Sequence, residues 1–253
     1  MFEIVLYLSG AYILLFLLSL YLKDNSIVDI FWGLGFVMIA WIPLLGKSPF
    51  FLQIITTLLI TAWGVRLALN IWLKKILHTG EDKRYAVWRQ KWKYFYLRSF
   101  FQVYLLQMIL MLGVATPLFF VHLNSNSSFS VSLTLFWSLT ALFGLLYETI
   151  ADTELRIFMQ KKNPWEILTF WLRRFHRYPQ YFGESVFWFG ICIISSQISI
   201  LAFFGWILIT LLLCFVSGIP LLEKRYEGDQ AYAQYSKKTP LFFPDWKRIF
   251  FRK

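Results

Sequence analysis

Four ionisable residues stand inside long apolar stretches: Asp29, Arg66, Glu148 and Glu184. A charged side chain at the centre of a membrane helix costs about 2.5–3.5 kcal/mol on insertion scales, so such positions are functional candidates by default. Carboxylates accept hydrogen bonds from hydroxyls and amides, and a guanidinium grips carboxylate or phosphate. Asp29 is three residues into the second apolar stretch and Arg66 is eight residues from the end of the third, roughly 12 Å at the helical rise. Glu148 lies in the last turn of the fifth stretch, and Glu184 opens the sixth. All four fall in one half of the membrane. Asp29 and Glu184 are near enough to a helix end to snorkel; Arg66 is too deep and calls for an acidic partner, Asp29 or Glu148. The expectation is a polar pocket open to the cytoplasm and walled by the second, third, fifth and sixth spans. Glu148, Asp152 and Arg156 are spaced four apart and share one helix face. That stripe suits i,i+4 pairing, and equally the polar recognition of a cofactor.

The elements that position these residues follow from composition. Of 253 residues, 58% are hydrophobic, 21% aromatic and 15% charged, against about 45–50% apolar and about 25% charged in soluble domains. This excludes an ordinary soluble domain and a disordered chain. Two Cys, both in apolar runs, exclude a disulfide scaffold. Apolar runs near 2–22, 27–45, 50–73, 99–122 and 131–151 are long enough to span a bilayer. The tract 184–222 is broken by Ser195, Ser196 and Gln197 and predicts a helical hairpin. The fold class is therefore all-α: a polytopic membrane bundle of about seven helices. The helix of the fifth span is expected to continue to about 159. The first span lacks a basic leader and runs the full membrane length, unlike a signal peptide.

The net charge of +11 has an address. Lys23 and the segments 74–98, 152–183 and 223–253 hold 23 of the 25 Lys and Arg, leaving Lys47 and Arg66. With seven spans, all these segments share one side, and the positive-inside rule makes it cytoplasmic, with the N-terminus out and the C-terminus in. The opposite side carries short links such as the uncharged stretch 124–128. Basic residues alternate with Trp88, Trp92, Tyr94 and Tyr96, the pattern of a bilayer interface rather than a nucleic-acid surface. Anionic-lipid contact accounts for much of this charge. His78, His122 and His176 are scattered without metal-ligand spacing. Gly33-Leu34-Gly35 lies mid-span, where small residues serve helix packing rather than a dinucleotide loop.

Arg177-Tyr178-Pro179-Gln180-Tyr181-Phe182-Gly183-Glu184 resembles the Arg-His-Pro-Asn-Tyr-Phe-Gly-Glu signature of the steroid 5-alpha-reductase superfamily. The whole chain looks like the bacterial branch of that superfamily. The blocks Ser26–Asp29 with Phe31-Trp32-Gly33, Trp63–Leu67, Gly80–Asp82 with Arg84-Tyr85, and Glu148 with Ala151-Asp152 come in family order. Pro220, Glu223, Tyr232, Tyr235, Thr239 and Pro244 continue it. The resemblance implies one integral membrane domain over 1–253 in a bacterial inner membrane, with substrate-side helices in 1–98 and a cofactor-binding half in 99–253. It implies NADPH as cofactor and reduction of a carbon–carbon double bond in a steroid, sterol or other lipid. Carried over by position, Asp152, Arg156, Arg177, Gln180, Tyr181, Gly183, Glu184 and Tyr235 fall among cofactor contacts, with Glu148 beside them. Asp29, Trp63 and Arg66 fall nearer the lipid. Asp29, Arg66 and Tyr181 are the catalytic candidates, with Tyr85 a second possible proton donor.

Two signature positions depart. Tyr178 replaces a His that titrates near neutrality, and Gln180 offers its amide on a longer stem than Asn. Two rival readings stay open. One is an S-adenosylmethionine-dependent methyltransferase of the isoprenylcysteine type, whose family shares an Arg-His-Pro-x-Tyr-type motif before a late hairpin. The other is a non-enzymatic membrane protein. The expected partners are the bilayer and a lipid substrate, not nucleic acid, and the oligomeric state is left open.

Overall fold

A computed structural model describes residues 1–77, 80–124, 129–161 and 166–245. His78, the link 125–128, Lys162 and the basic residues Lys247, Arg248, Arg252 and Lys253 lie outside the described residues. Among the described residues the elements are helices, with no strand. Six are long and apolar enough to cross a membrane: Phe2–Leu22, Ile27–Leu44, Phe51–Ile76, Phe95–Val114, Val131–Lys161 and Ile200–Tyr226. The chain is an integral membrane protein. Large apolar side chains point outward along these helices, among them Leu14, Phe136, Leu139 and Phe215, as a lipid-facing surface requires.

The sixth of the seven predicted spans is the helix Pro179–Ser196, 18 residues long, which is not among these six candidates. Its first two turns carry Gln180, Glu184 and Ser185, and none of its residues is exposed. A helix enclosed by protein needs no lipid-compatible surface, so it keeps polar groups that a lipid-facing helix would exclude. The predicted hairpin is present, turning at 197–199 between this helix and Ile200–Tyr226. The single span predicted over 99–122 is instead two helices, Phe95–Val114 and Thr116–Leu123. Pro117 opens the second, where a missing N–H costs nothing. The fifth span runs as one helix to Lys161, as its charge spacing predicts.

The chain forms two compact units. One comprises Met1–Thr134 and Ile194–Gly205, the other Leu135–Ile193 and Trp206–Lys253. In the first, Ile27–Trp41 and Phe51–Leu77 cross at Gly33 and Gly64, where a Cβ on either glycine would strike the other's carbonyl oxygen. Phe36 and Trp63 pack edge to face beside this crossing, ring centroids 5.5 Å apart. In the second, Val131–Lys161 crosses Pro179–Ser196 through Gly144, Gly183 and the Gly190–Ala141 contact. A Cβ on Gly183 would lie 2.6 Å from the Glu148 backbone nitrogen and 2.8 Å from the Gly144 carbonyl oxygen. Small residues let the two backbones touch.

Candidate functional site

Each unit carries its own polar cluster. In the first, the loop ending in residues 80–82 is laced to the start of the second span. Asp24 accepts from the Ser26 backbone N–H (2.9 Å) and hydroxyl (2.5 Å) and from Lys75. Burial pushes the Asp24 carboxyl up, but those donors outweigh it and hold it below the usual range. Glu81 accepts from the Asn25 backbone N–H at 2.9 Å and from two Arg89 nitrogens at 2.9 and 2.8 Å. Asp82 donates its backbone N–H to Ser26 Oγ at 2.9 Å and caps the helix Lys83–Lys91 through the Arg84 N–H.

This lacing sets Arg84 and Tyr85 on Asp29. Arg84 Nη2 donates to Asp29 Oδ2 at 2.7 Å and Tyr85 Oη to Oδ1 at 2.7 Å. Gln107 lies within hydrogen-bond reach, at 3.4 Å from Oδ1 and 3.5 Å from the Tyr85 hydroxyl. Burial would lower Arg84, but the charges of Asp29 and Asp82 raise it, so it stays cationic. Burial and then the Asp29 charge push the Tyr85 hydroxyl well up, so it keeps its proton. Of the two partners expected for Arg66, Asp29 does not pair with it: its carboxylate is taken by Arg84, on the helix Lys83–Lys91. Arg66 is half-buried, one turn along from the fully buried Trp63.

In the second unit, Gly144, Glu148, Asp152 and Arg156 form one four-residue stripe, and Gly144 meets the backbone of Pro179–Ser196 at Gly183 and Phe187. The stripe therefore follows the face turned to that helix. Glu148 is 2% exposed, Asp152 9%, Glu184 6% and Gln180 8%. Tyr181 lies within electrostatic reach of Glu184, Asp152, Arg173 and Arg225. Arg173 donates to Gln180 Oε1 at 3.2 Å and to the Arg177 carbonyl at 2.6 Å.

The signature's departures are integrated rather than loose. Tyr178 Oη lies 2.5 Å from Glu223 Oε1 and 2.9 Å from Tyr232 Oη, which also reaches Glu223 Oε1; with one proton on each hydroxyl, the three oxygens share two hydrogen bonds at a time. Arg177 Nη1 reaches both Glu223 oxygens at 2.9 and 2.8 Å. Burial, then the hydrogen bonds to Glu223 and Tyr232, push the Tyr178 hydroxyl up. The C-terminal tail is stitched over this segment: Arg177 N–H donates to the Pro240 carbonyl (2.9 Å), Asp245 N–H to the Phe175 carbonyl (3.0 Å), and Tyr235 Oη to the Arg173 carbonyl (2.6 Å). His176, fully buried, sits between Tyr147 Oη at 2.7 Å and the Phe242 carbonyl at 2.6 Å. Burial lowers its pKa to about 4, the Phe242 carbonyl opposing and Arg173 adding to the shift.

The chain matches, over residues 15–239, the family described as "Protein of unknown function (DUF1295)". It belongs to that family. No curated protein and no solved structure matches the chain. The DUF1295 match runs through both clusters, from before Asp24 to Thr239.

Of the residues predicted from sequence, Asp29 and Arg66 stand in the first unit. Glu148, Asp152, Arg156, Arg177, Gln180, Tyr181, Gly183, Glu184 and Tyr235 stand in the second. Sequence reasoning missed Arg84 and Gln107 as partners of Asp29, and Arg173 as the cation beside Gln180. It also missed the Tyr178–Glu223–Tyr232 network. Arg84, Glu223 and Tyr232 were visible as members of recurring blocks, but nothing in their spacing named their partners.

Proposed function

We propose that this protein is a steroid 5-alpha-reductase-like enzyme that uses NADPH to reduce a carbon–carbon double bond in a steroid-like or other lipid, at the cytoplasmic leaflet of a bacterial inner membrane. One observation carries the reading. Glu148, Asp152 and Glu184 are buried on two helices whose glycines bring the backbones into contact. Ionisable residues inside membrane helices are rare and are functional candidates by default. The positions of these carboxylates coincide with those that the signature resemblance assigns to the cofactor.

The residues present fit such a group. Arg173 Nε and Arg177 Nε are buried with no hydrogen-bond partner among the described residues, leaving donors for phosphate oxygens on an edge otherwise held by Gln180 and Glu223. The carboxylates Asp152 and Glu184 would accept from ribose hydroxyls or a carboxamide, and Arg156, Gln180, Tyr181 and Tyr235 would complete the contacts. NADPH, when bound, supplies the hydride.

The first unit, taken by itself, holds a candidate proton donor. Reduction adds a hydride to the β-carbon of a polarised double bond and a proton at the α-carbon or its activating oxygen. Asp29 holds the Tyr85 hydroxyl at 2.7 Å with its proton in place, which is the state a general acid needs. Arg84 anchors the carboxylate, and Arg66 and Trp63 are the residues that the resemblance assigns to the lipid side. Tyr181 is the alternative proton donor in the second unit.

The test is turnover by the purified full-length protein mixed with a membrane lipid extract and NADPH. The reading expects nucleotide oxidation together with a lipid heavier by two hydrogens in the mass spectrum. A lipid that instead gains a methyl group from S-adenosylmethionine, with NADPH untouched, would overturn it in favour of a methyltransferase.

A further inference from the structure

The helix Lys83–Lys91 has two faces. Arg84, Tyr85 and Arg89 turn inward, and both arginines hold carboxylates: Arg84 those of Asp29 and Asp82, Arg89 that of Glu81. Lys83, Val87, Gln90 and Lys91, at i, i+4, i+7 and i+8, are all exposed. The segment 83–98 contains no Asp or Glu. Among the described residues Lys83, Lys91, Lys93 and Arg98, all exposed, form no ion pair. The inward cations are neutralised within the protein, and the outward ones are left for a partner.

The span that follows sets the level of this segment in the bilayer. Tyr94, Leu97, Arg98 and Phe101, at i, i+3, i+4 and i+7, are exposed where Phe95–Val114 begins. Leu97 and Phe101 belong to the lipid-facing surface. Arg98 between them stands where hydrocarbon gives way to headgroups, the layer in which its charge finds phosphate. Ring contacts tie the helix to the span. The Trp88 and Trp92 rings lie parallel with centroids 5.0 Å apart, and the Arg89 guanidinium lies 4.2 Å from the Phe95 ring centroid. Tryptophan and tyrosine beside lysine and arginine are the composition of a membrane interface.

We propose that the exposed face of segment 83–98 docks on anionic phospholipid of the surrounding bilayer, and that this docking holds the Asp29 cluster in place. Lys83, Lys91, Lys93 and Arg98 meet the headgroup phosphates, and Tyr94 and Leu97 enter the acyl boundary. A phosphocholine headgroup cancels its phosphate with its own cation, so a headgroup of net negative charge is the complementary partner. The inward face of the same helix sets Arg84 and Tyr85 on Asp29, each at 2.7 Å. A lipid bound outside therefore steadies the Tyr85 hydroxyl inside. The docking does not depend on the reductase reading; under that reading it ties the candidate proton donor to the lipid composition of the leaflet.

The experiment titrates the full-length protein, in micelles of an uncharged detergent, with acyl-labelled phosphatidylglycerol or phosphatidylcholine and follows fluorescence anisotropy. Phosphatidylglycerol is expected to bind at least about tenfold tighter at about 50 mM salt, the preference shrinking to about twofold or less at about 500 mM. The combined variant Lys83→Gln, Lys91→Gln, Lys93→Gln, Arg98→Gln should lose the preference. Lys47→Gln, an exposed cation between the second and third spans, should keep it. Amide hydrogen exchange over 83–91 should slow at least about threefold when phosphatidylglycerol is added to the parent protein, and not in the combined variant. Equal affinity for the two lipids in the parent protein overturns the docking without any variant, so a combined variant that fails to fold does not shield it. A preference that survives in a folded combined variant overturns it too, as does tighter binding of a polyglutamate peptide, which would assign the face to an acidic protein segment. Unchanged exchange with phosphatidylglycerol bound overturns the link to the Asp29 cluster. None of these measurements involves NADPH, so the reductase reading stands or falls separately, by its own turnover test.

Discussion

The two polar clusters solve one problem, charge in an apolar chain, in different ways. In the first unit a single carboxylate inside a span, Asp29, is neutralised from outside by Arg84 and Tyr85 of the helix Lys83–Lys91. In the second, Glu148, Asp152 and Glu184 are buried between two helices, while the neighbouring cation Arg177 is taken by Glu223 with two tyrosines. The first arrangement is a closed pair with one oriented hydroxyl. The second is a preformed polar seam with donors to spare, Arg173 Nε and Arg177 Nε. A proton-delivering site needs the first kind of environment, and a site for a large polar ligand needs the second.

The largest effect is expected where backbones touch. Gly183→Val drives side-chain carbon into the Glu148 backbone and should destabilise the protein by about 3 kcal/mol or more, read as a lowered thermal midpoint. Gly10→Ala, where nothing lies within 4 Å, should leave that midpoint unchanged. Next, Asp152→Ala with Arg156→Ala should weaken NADPH binding about tenfold or more by removing charged hydrogen bonds. Wild-type affinity in the double variant would remove the stripe from the cofactor site. Asp29→Asn is expected to do the reverse. Turnover should fall by about a hundredfold or more with NADPH affinity within about twofold, so a loss of nucleotide binding would erase the division of labour between clusters.

Glu223→Gln leaves Arg177 without its counter-ion and should cost about 1.5–3 kcal/mol of stability. Tyr178→Phe removes one neutral donor and should cost about 1 kcal/mol. The smaller loss for Tyr178 would show that the charge pair, rather than the tyrosine, holds the tail. A pH series adds a further contrast. His176 has a folded pKa of about 4 against an ordinary 6.5, so the unfolded chain takes up the proton first. Its contribution to stability is complete above about 6.5 and is lost as pH falls through the interval down to about 4. His176→Gln should flatten that part of the stability curve, and an unchanged slope would show that other groups govern it.

Much of the helical scaffold was legible because length and apolarity are local properties. The continuation of the fifth span to Lys161 was likewise written in the four-residue spacing of Glu148, Asp152 and Arg156. The enclosed helix Pro179–Ser196 was harder, since its polar opening resembles a loop until the protein around it is known. At the candidate site, the types of residue were legible and the partners were not. Arg66 called for an acidic partner because of its depth in the third span, with Asp29 and Glu148 both candidates. Asp29 instead meets Arg84 on the helix Lys83–Lys91, whose position is set by Ser26, Asp24 and Glu81 acting together.

By itself the sequence determined that this chain lies in a membrane and roughly where most of its spans run, because hydrophobic transfer energies add residue by residue. Only the tertiary structure decided which charges meet. Arg84 reaches Asp29, Tyr178 and Tyr232 converge on Glu223, and Gly183 admits the backbone of Glu148. Such contacts join residues tens of positions apart, and their strength depends on distance and burial that no single stretch of chain contains.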